Sequence, residues 1–239
     1  MAKTSIEISA GSLSAIELFY DLSFNERNVV ADKCRGMKFA AGDTITSHDD
    51  VDNDVYFIIS GRVRIATCSA SGKEISFRDQ AAGEMFGEIA AVDNQSRSAY
   101  VSALSETVLA AISAECFLWL VDLYPSIMTR TLARIARLVR LLSERVVEFS
   151  SLDVRNRIHA ELLRMAWQNM DDANTATISP APRHVDLASR ISTHREAITR
   201  ELTQLSSSGL VHKGKNSLRI NDVVKLENMV QDTAGTYKK

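Results

Sequence analysis

The chain has 239 residues, 45 % of them hydrophobic and 24 % charged, with a formal net charge of −2. That balance excludes a largely disordered chain, and no apolar run reaches the roughly 18–20 residues that span a bilayer. Cys34, Cys68 and Cys116 stand far apart, as free thiols in a reducing cytosol do, and no close Cys or Cys/His cluster suggests a metal, so a cytoplasmic, metal-free protein is expected, with length enough for two modest domains or one large one.

From Met1 to Glu17 there is no sustained apolar stretch, so no secretory leader is expected. Residues 13–34 read as helical: Leu13, Ile16, Leu18, Phe19 and Leu22 mark an apolar face, and Ser23 can cap a second short helix through Cys34. From Met37 the texture changes to short Val-, Ile-, Tyr-, Phe- and Thr-rich segments. They are separated by Ala41-Gly42-Asp43, Ser60-Gly61, Ser71-Gly72-Lys73 and Ala82-Gly83-Glu84. Turns at this spacing predict a small antiparallel barrel or jelly roll. Its strands are expected at Tyr56–Ser60, Val63–Cys68, Glu74–Asp79, Ala99–Ala103 and Val108–Ser113.

A long helix is predicted after Pro125. Met128, Leu132, Ile135, Val139, Leu142, Val146 and Phe149 recur at alternating spacings of four and three, with Arg130, Arg134, Arg137, Arg140 and Glu144 between them. A strict 3.5-residue period suits a narrow seam against a second copy better than a broad face lying on the chain's own barrel, which is the alternative.

Ser150-Ser151-Leu152-Asp153 interrupts this helix, and Asp153 can cap a new one through about Asn169. Met170 to Pro182 is polar and ends in Ser179-Pro180-Ala181-Pro182, which reads as a linker. Helical segments follow near Val185–Ile191 and Thr193–Ser206. A strand pair around Leu210-Val211 and Leu218-Arg219-Ile220, then a helix over Val223–Val230, complete a winged helix-turn-helix pattern before a polar tail. Between Arg183 and Arg219 the chain is net basic by four within an otherwise slightly acidic protein. A local basic surface is the footprint of a DNA-binding module, or a solvated charged face.

The segment Gly83-Glu84-Met85-Phe86-Gly87-Glu88-Ile89-Ala90-Ala91, followed by Arg97-Ser98-Ala99, resembles the cyclic-nucleotide-binding domain. Phe39-Ala40-Ala41-Gly42-Asp43, Val55-Tyr56-Phe57-Ile58-Ile59-Ser60-Gly61-Arg62-Val63 and Gly72-Lys73-Glu74 extend the resemblance upstream, with Asp49 standing where the family has a turn glycine. The resemblance implies that backbone N–H groups at Gly87, Glu88, Ile89 and Ala90 donate to a cyclic phosphate. Arg97 then forks onto two phosphate oxygens, Glu88 accepts from the ribose 2′-hydroxyl, and Ser98 can touch the phosphate or a syn guanine. The competing role for Arg97 is an ion pair with Glu88. The register of the long helix places Leu142 and Ser143 where the family offers two hydroxyls to adenine, so one polar contact is lost. Cyclic AMP is the expected effector, with cyclic GMP, or tolerance of both, as the alternative.

The segment from Val185 to Leu202 resembles the helix-turn-helix of the cyclic-AMP receptor protein / fumarate-nitrate regulator (CRP/FNR) family. Ile191, Ile198 and Leu202 would be buried. Arg195, Glu196, Thr199 and Arg200 would face outward to read guanine and cytosine edges. The resemblance implies Thr193 and His194 as further DNA contacts; Arg183 and His184 could touch phosphates or be solvated, and the wing lysines Lys213 and Lys215 are phosphate candidates. Ser192 replaces the usual turn glycine.

Together these imply an α+β chain: a cyclic-nucleotide-binding β-barrel at 1–124, a dimerisation helix at 125–150 and a winged helix-turn-helix at 151–239. The implied protein is a homodimer that binds a pseudo-palindromic double-stranded DNA site under effector control, with RNA polymerase as a further partner and no membrane association. Family members that respond to another effector, or to none, are the rival reading. An N-terminus without cysteines argues against a cluster sensor, and His48 as the barrel's one histidine argues against haem. No catalytic constellation stands out, so the chain is not expected to be an enzyme.

Overall fold

The computed structural model describes residues 4–48, 50, 52–69, 72, 74–171 and 173–234. Asp49, the turn residues Ser71 and Lys73, and the tail 235–239 lie outside the described residues. The chain divides into two compact units, Met1–Ser69 with Ser76–Leu138, and Ala70–Ile75 with Val139–Lys239.

The first unit opens with β1 (Thr4–Ile6) and two short 3₁₀ turns, Ser12–Ala15 and Glu17–Phe19. The expected regular helix over this apolar stretch is therefore not formed. Leu13, Ile16 and Phe19 are fully buried instead, and Glu17 N–H donates to the Gly83 carbonyl, so tertiary contacts hold the segment. Ser23 caps α1 (Phe24–Ala31) in a reciprocal capping box with Glu26.

Next come β2 (Arg35–Phe39), β3 (Thr44–Thr46), β4 (Val55–Ser60), β5 (Arg62–Cys68), β6 (Glu74–Ala81) and β7 (Met85–Phe86). After α2 (Glu88–Asp93) follow β8 (Tyr100–Ala103) and β9 (Thr107–Ile112). Among the described residues they form two antiparallel sheets, ordered β1-β2-β9-β4-β7 and β3-β8-β5-β6. β4 and β9 are continuous apolar runs because both faces of their sheet are covered. Val55, Phe57, Ala110 and Ile112 pack with Leu13, Phe19, Phe117 and Ile127. The alternate residues Tyr56, Ile58, Leu109 and Ala111 pack with Met37, Val63, Phe86 and Val101. Strand alternation thus serves two cores at once.

Ser113 caps α3 (Ala114–Leu123), and Pro125 starts α4 (Pro125–Ser151) at the position where its missing N–H costs nothing. Along α4, Met128, Leu132, Val139, Leu142, Val146 and Phe149 are exposed in the single chain, and Ile135 is half-buried.

In the second unit, Asp153 caps α5 (Val154–Trp167) by accepting from Asn156 N–H at 2.8 Å. The segment expected as a linker contains β10 (Ala176–Ile178), which pairs with a wing strand. Its signal is only the buried pair Ala176 and Ile178, too short a period to stand out among polar neighbours. Then come α6 (His184–Arg190), α7 (Arg195–Ser207), β11 (Val211–Lys213), β12 (Leu218–Ile220) and α8 (Val223–Ala234). One core unites α5 to α8, including Leu162, Ala188, Ile198, Leu202, Ile220 and Leu226.

A buried ionic cluster ties three helices of this unit. Arg145 on α4 donates to Glu161 of α5 at 2.8 Å, Arg190 at the end of α6 donates to the same carboxylate at 3.0 Å, and Arg164 bridges Glu161 and Glu148. Burial alone would push the Glu161 carboxyl up, but Arg145, Arg164 and Arg190 together hold it below the ordinary value of 4.5. Glu148 goes the other way: burial raises it despite Arg164 and Arg145, and Glu161 and Glu144 add repulsion.

The two signs separate in acid. Glu161 stabilises the fold fully above pH 4.5, and this is lost as pH falls through its lower folded value. Glu148 costs stability while charged and is relieved as pH falls through its raised value. Glu161→Gln should therefore destabilise the second unit by about 3–5 kcal/mol at pH 7, the scale of breaking a buried ion pair. It should also flatten the stability loss below pH 4.5. Chemical denaturation followed by Trp167 fluorescence in a Trp119→Phe background measures both.

Candidate nucleotide site and nucleic-acid interface

In the first unit, β7 delivers the chain into Gly87, whose φ of 92° lies in the left-handed region. A Cβ there would sit 2.5 Å from the Asp54 carbonyl oxygen and 2.8 Å from Arg97 Nη1, so only glycine fits. Glu88 and Ala90 point inward and are buried, while Ile89 and Ser98 are exposed.

Arg97 is 4 % exposed and lies over the Tyr56 ring, which stacks on Phe86. Its Nη2 donates to Asp52 Oδ1 at 2.5 Å. Its Nε and Nη1 have no hydrogen-bond partner. The buried guanidinium therefore offers two unused donors beside the Gly87 backbone. The ion pair with Glu88 considered from the sequence is not made; Asp52 takes that part. Asp54 next to it pairs with Arg35, and burial, opposed by Arg35, leaves its carboxyl raised above the ordinary range. Burial likewise pushes the Tyr56 hydroxyl up, and the Asp52 charge adds to it.

Glu88 is occupied by side chains that the sequence reading left out of the site. Arg134 on α4 donates Nε to Glu88 Oε1 at 3.0 Å and Nη2 to the Met85 carbonyl, and Arg78 on β6 approaches the same carboxylate at 3.7 Å. Arg134 was legible only as a charge between the seam positions, and Arg78 was not singled out. Ser143 on α4 is exposed and donates to the Val139 carbonyl at 2.9 Å, while Leu142 is exposed.

In the second unit, α6 and α7 are joined through Ser192, which takes φ 53°, the left-handed conformation a glycine would adopt more easily. Thr193 N–H donates to the Ala188 carbonyl at 2.9 Å, and Thr193 is buried in this turn. Ile198, Leu202 and Leu205 bury one face of α7, and Glu201 beside them accepts from His159 and Arg155. The opposite face carries Arg195, Glu196, Thr199, Arg200 and Thr203, which line one open groove. The Arg195 and Arg200 guanidiniums make no hydrogen bond or ion pair among the described residues. Arg183 is held by Asp186 through two hydrogen bonds, at 2.9 and 3.0 Å. His194 and Lys213 are exposed. His184 pairs with Thr199 at 2.7 Å; burial lowers its pKa, as do the Lys213 and Arg195 charges, which marks a positive field on this face.

A barrel with an anion-ready buried guanidinium and a winged helix-turn-helix with a free basic reading face define a DNA-binding regulator with a sensory domain. Residues 37–124 match the cyclic nucleotide-binding domain family and residues 156–229 the Crp-like helix-turn-helix domain family. The chain belongs to the CRP/FNR family of transcription regulators. It is similar to the cyclic AMP receptor protein of Thermus thermophilus, 27 % identical over 210 residues that cover 88 % of this chain and 94 % of that protein. It is similar to the cAMP-activated global transcriptional regulator CRP of Escherichia coli O6:H1, 27 % identical over 179 residues, 74 % of this chain and 85 % of that one. A solved CooA mutant from Carboxydothermus hydrogenoformans shares the fold, with a TM-score of 0.78 at 17 % identity over 90 % of this chain and 95 % of that one.

Proposed function

We propose that the protein is a homodimeric, non-enzymatic cytoplasmic transcription regulator whose sequence-specific DNA binding is set by a cyclic purine nucleotide. The observation that carries this reading is Arg97, a buried cation with two nitrogens that have no hydrogen-bond partner, packed against the backbone of a glycine where no side chain would fit. A buried guanidinium whose donors are only partly paired is costly, and a cyclic phosphate supplies acceptors for the two nitrogens that Asp52 leaves unpaired. Gly87 lets the phosphate approach, and Arg97 forks onto it while Asp52 holds the remaining nitrogen.

The names of the Thermus and Escherichia relatives put cyclic AMP forward as the effector. Of the two α4 positions expected at the base, however, Leu142 offers no hydroxyl and Ser143 donates to its own helix backbone. The barrel therefore carries more of the base choice than α4.

The exposed 3.5-residue seam from Met128 to Phe149 supports pairing with a second copy, because such a stripe left in water is unfavourable. Two reading helices of a dimer then address a pseudo-palindromic site, with Arg195, Glu196, Thr199 and Arg200 at base edges. Arg183, His194 and Lys213 act near phosphates, and Thr193 shapes the turn. The junction of α4 and α5 at Ser151–Asp153 is the hinge. Effector control requires the nucleotide to bind the DNA-competent state more tightly than the other. RNA polymerase is the partner through which such a dimer acts on transcription.

Arg97→Ala should weaken cyclic-nucleotide binding about a hundredfold or more, the scale of losing two charge-assisted hydrogen bonds. Calorimetry that returns unchanged affinity defeats the phosphate role. Arg200→Ala should relax preference at one base position, a loss of about 1–3 kcal/mol of discrimination, read by in vitro site selection. Leu142→Asp should shift the protein to monomer in sedimentation velocity, since it puts a charge in each copy's seam.

A further inference from the structure

Next to Arg97 the first unit contains a second group of polar side chains that the fold leaves incomplete. Ser76, Arg78 and Gln80 alternate along β6 and share one face of the strand. Thr131 and Arg134, three residues apart, share one face of α4. Arg78, Gln80 and Arg134 meet around Met85 and Glu88, and Ser76 and Thr131 flank them on the same strand face and the same helix face. Arg134 and Gln80 both donate to the Met85 carbonyl, Gln80 at 3.1 Å, and Arg134 and Arg78 both approach Glu88. Gly87 faces Arg97 and its neighbour Glu88 faces Arg78, so the two groups adjoin at consecutive residues.

What is missing is informative. Ser76 Oγ, Gln80 Oε1 and Thr131 Oγ1 have no hydrogen-bond partner, on side chains only 3 %, 1 % and 4 % exposed. Arg78 makes no hydrogen bond among the described residues, since its 3.7 Å approach to Glu88 is beyond hydrogen-bond range. A packed core leaves few buried polar atoms orphaned, so orphans on one strand face and on the helix face beside it mark the wall of a polar ligand site rather than of a core. Burial, and then the like charge of Arg134, push the Arg78 guanidinium below its ordinary value, so an acceptor there would relieve it.

The chemistry of the wall selects its occupant. Arg78 offers a planar fork of donors, Gln80 an acceptor, and Ser76 and Thr131 hydroxyls that serve as either. Guanine presents two acceptors side by side, O6 and N7, and N–H donors on its other edge. Adenine puts an amino donor beside N7, where one arm of a guanidinium would meet N–H instead of a lone pair. We infer that Ser76, Arg78, Gln80 and Thr131 form the base subsite of the nucleotide site, and that Arg78 makes this protein select cyclic GMP over cyclic AMP. This rests on the assignment of Arg97 to the cyclic phosphate.

The test is calorimetric titration of the full-length protein with cyclic GMP, cyclic AMP and 7-deaza-cyclic GMP, which lacks the N7 acceptor. Cyclic GMP should bind about tenfold or more tighter than cyclic AMP, and the deaza analogue should lose about tenfold. Arg78→Met should weaken cyclic GMP about tenfold and leave cyclic AMP within about twofold, whereas Arg97→Ala should weaken both. Cyclic AMP binding as tightly as cyclic GMP, or a deaza analogue as good as its parent, overturns the guanine subsite and leaves the phosphate assignment standing. An Arg78→Met variant that weakens both nucleotides equally overturns it too. Binding of neither nucleotide to the wild-type protein overturns the phosphate assignment and the base subsite together.

Discussion

A guanidinium removed from water and given only one carboxylate is the constraint around which the first unit is organised. Arg97 lies over Tyr56, is held at one nitrogen by Asp52, and keeps its two remaining N–H nitrogens without acceptors. Nothing in the sheet requires a cation there, and a charge in a low-dielectric site is costly unless it is matched. The stacked Tyr56–Phe86 pair, the left-handed Gly87 and the Asp54–Arg35 pair make sense together as the shell that holds this one group in place and open.

The two units use buried charge in opposite ways. In the second unit the circuit is closed: Glu161 takes three guanidiniums, Arg164 reaches back to Glu148, and three helices are joined by the result. Such a cluster fixes an arrangement, because each group is costly only if a partner leaves. In the first unit the circuit is open at Arg97, and again at Arg78, Ser76, Gln80 and Thr131. An open circuit in a packed domain is a demand for a ligand. A polar ligand that meets it gains affinity from groups whose desolvation has already been met by folding.

The same contrast appears on α7. Its inner face is closed, with Ile198, Leu202 and Leu205 in the core and Glu201 bound by His159 and Arg155. Its outer face leaves Arg195 and Arg200 in solvent beside a histidine whose proton is disfavoured by neighbouring cations. Phosphate attraction and base reading both need cations left without internal partners.

Much of this was legible in the residues. The turn spacing of the barrel, the seven-residue period of α4 and the Asp153 cap are local patterns, set by backbone geometry and side-chain period, while the Gly87-to-Arg97 segment and the two faces of α7 were legible through their resemblance to a known family. The first apolar segment misled because its residues are held by contacts with distant strands and not by helix period. β10 was hidden because three residues carry almost no period. Tertiary structure alone decided which charges are closed and which open. Asp52 reaches Arg97 across 45 positions and Arg134 reaches Glu88 across 46. A pairing between positions so far apart in the chain leaves no periodic trace, since it depends on how two elements pack and not on how either one is built.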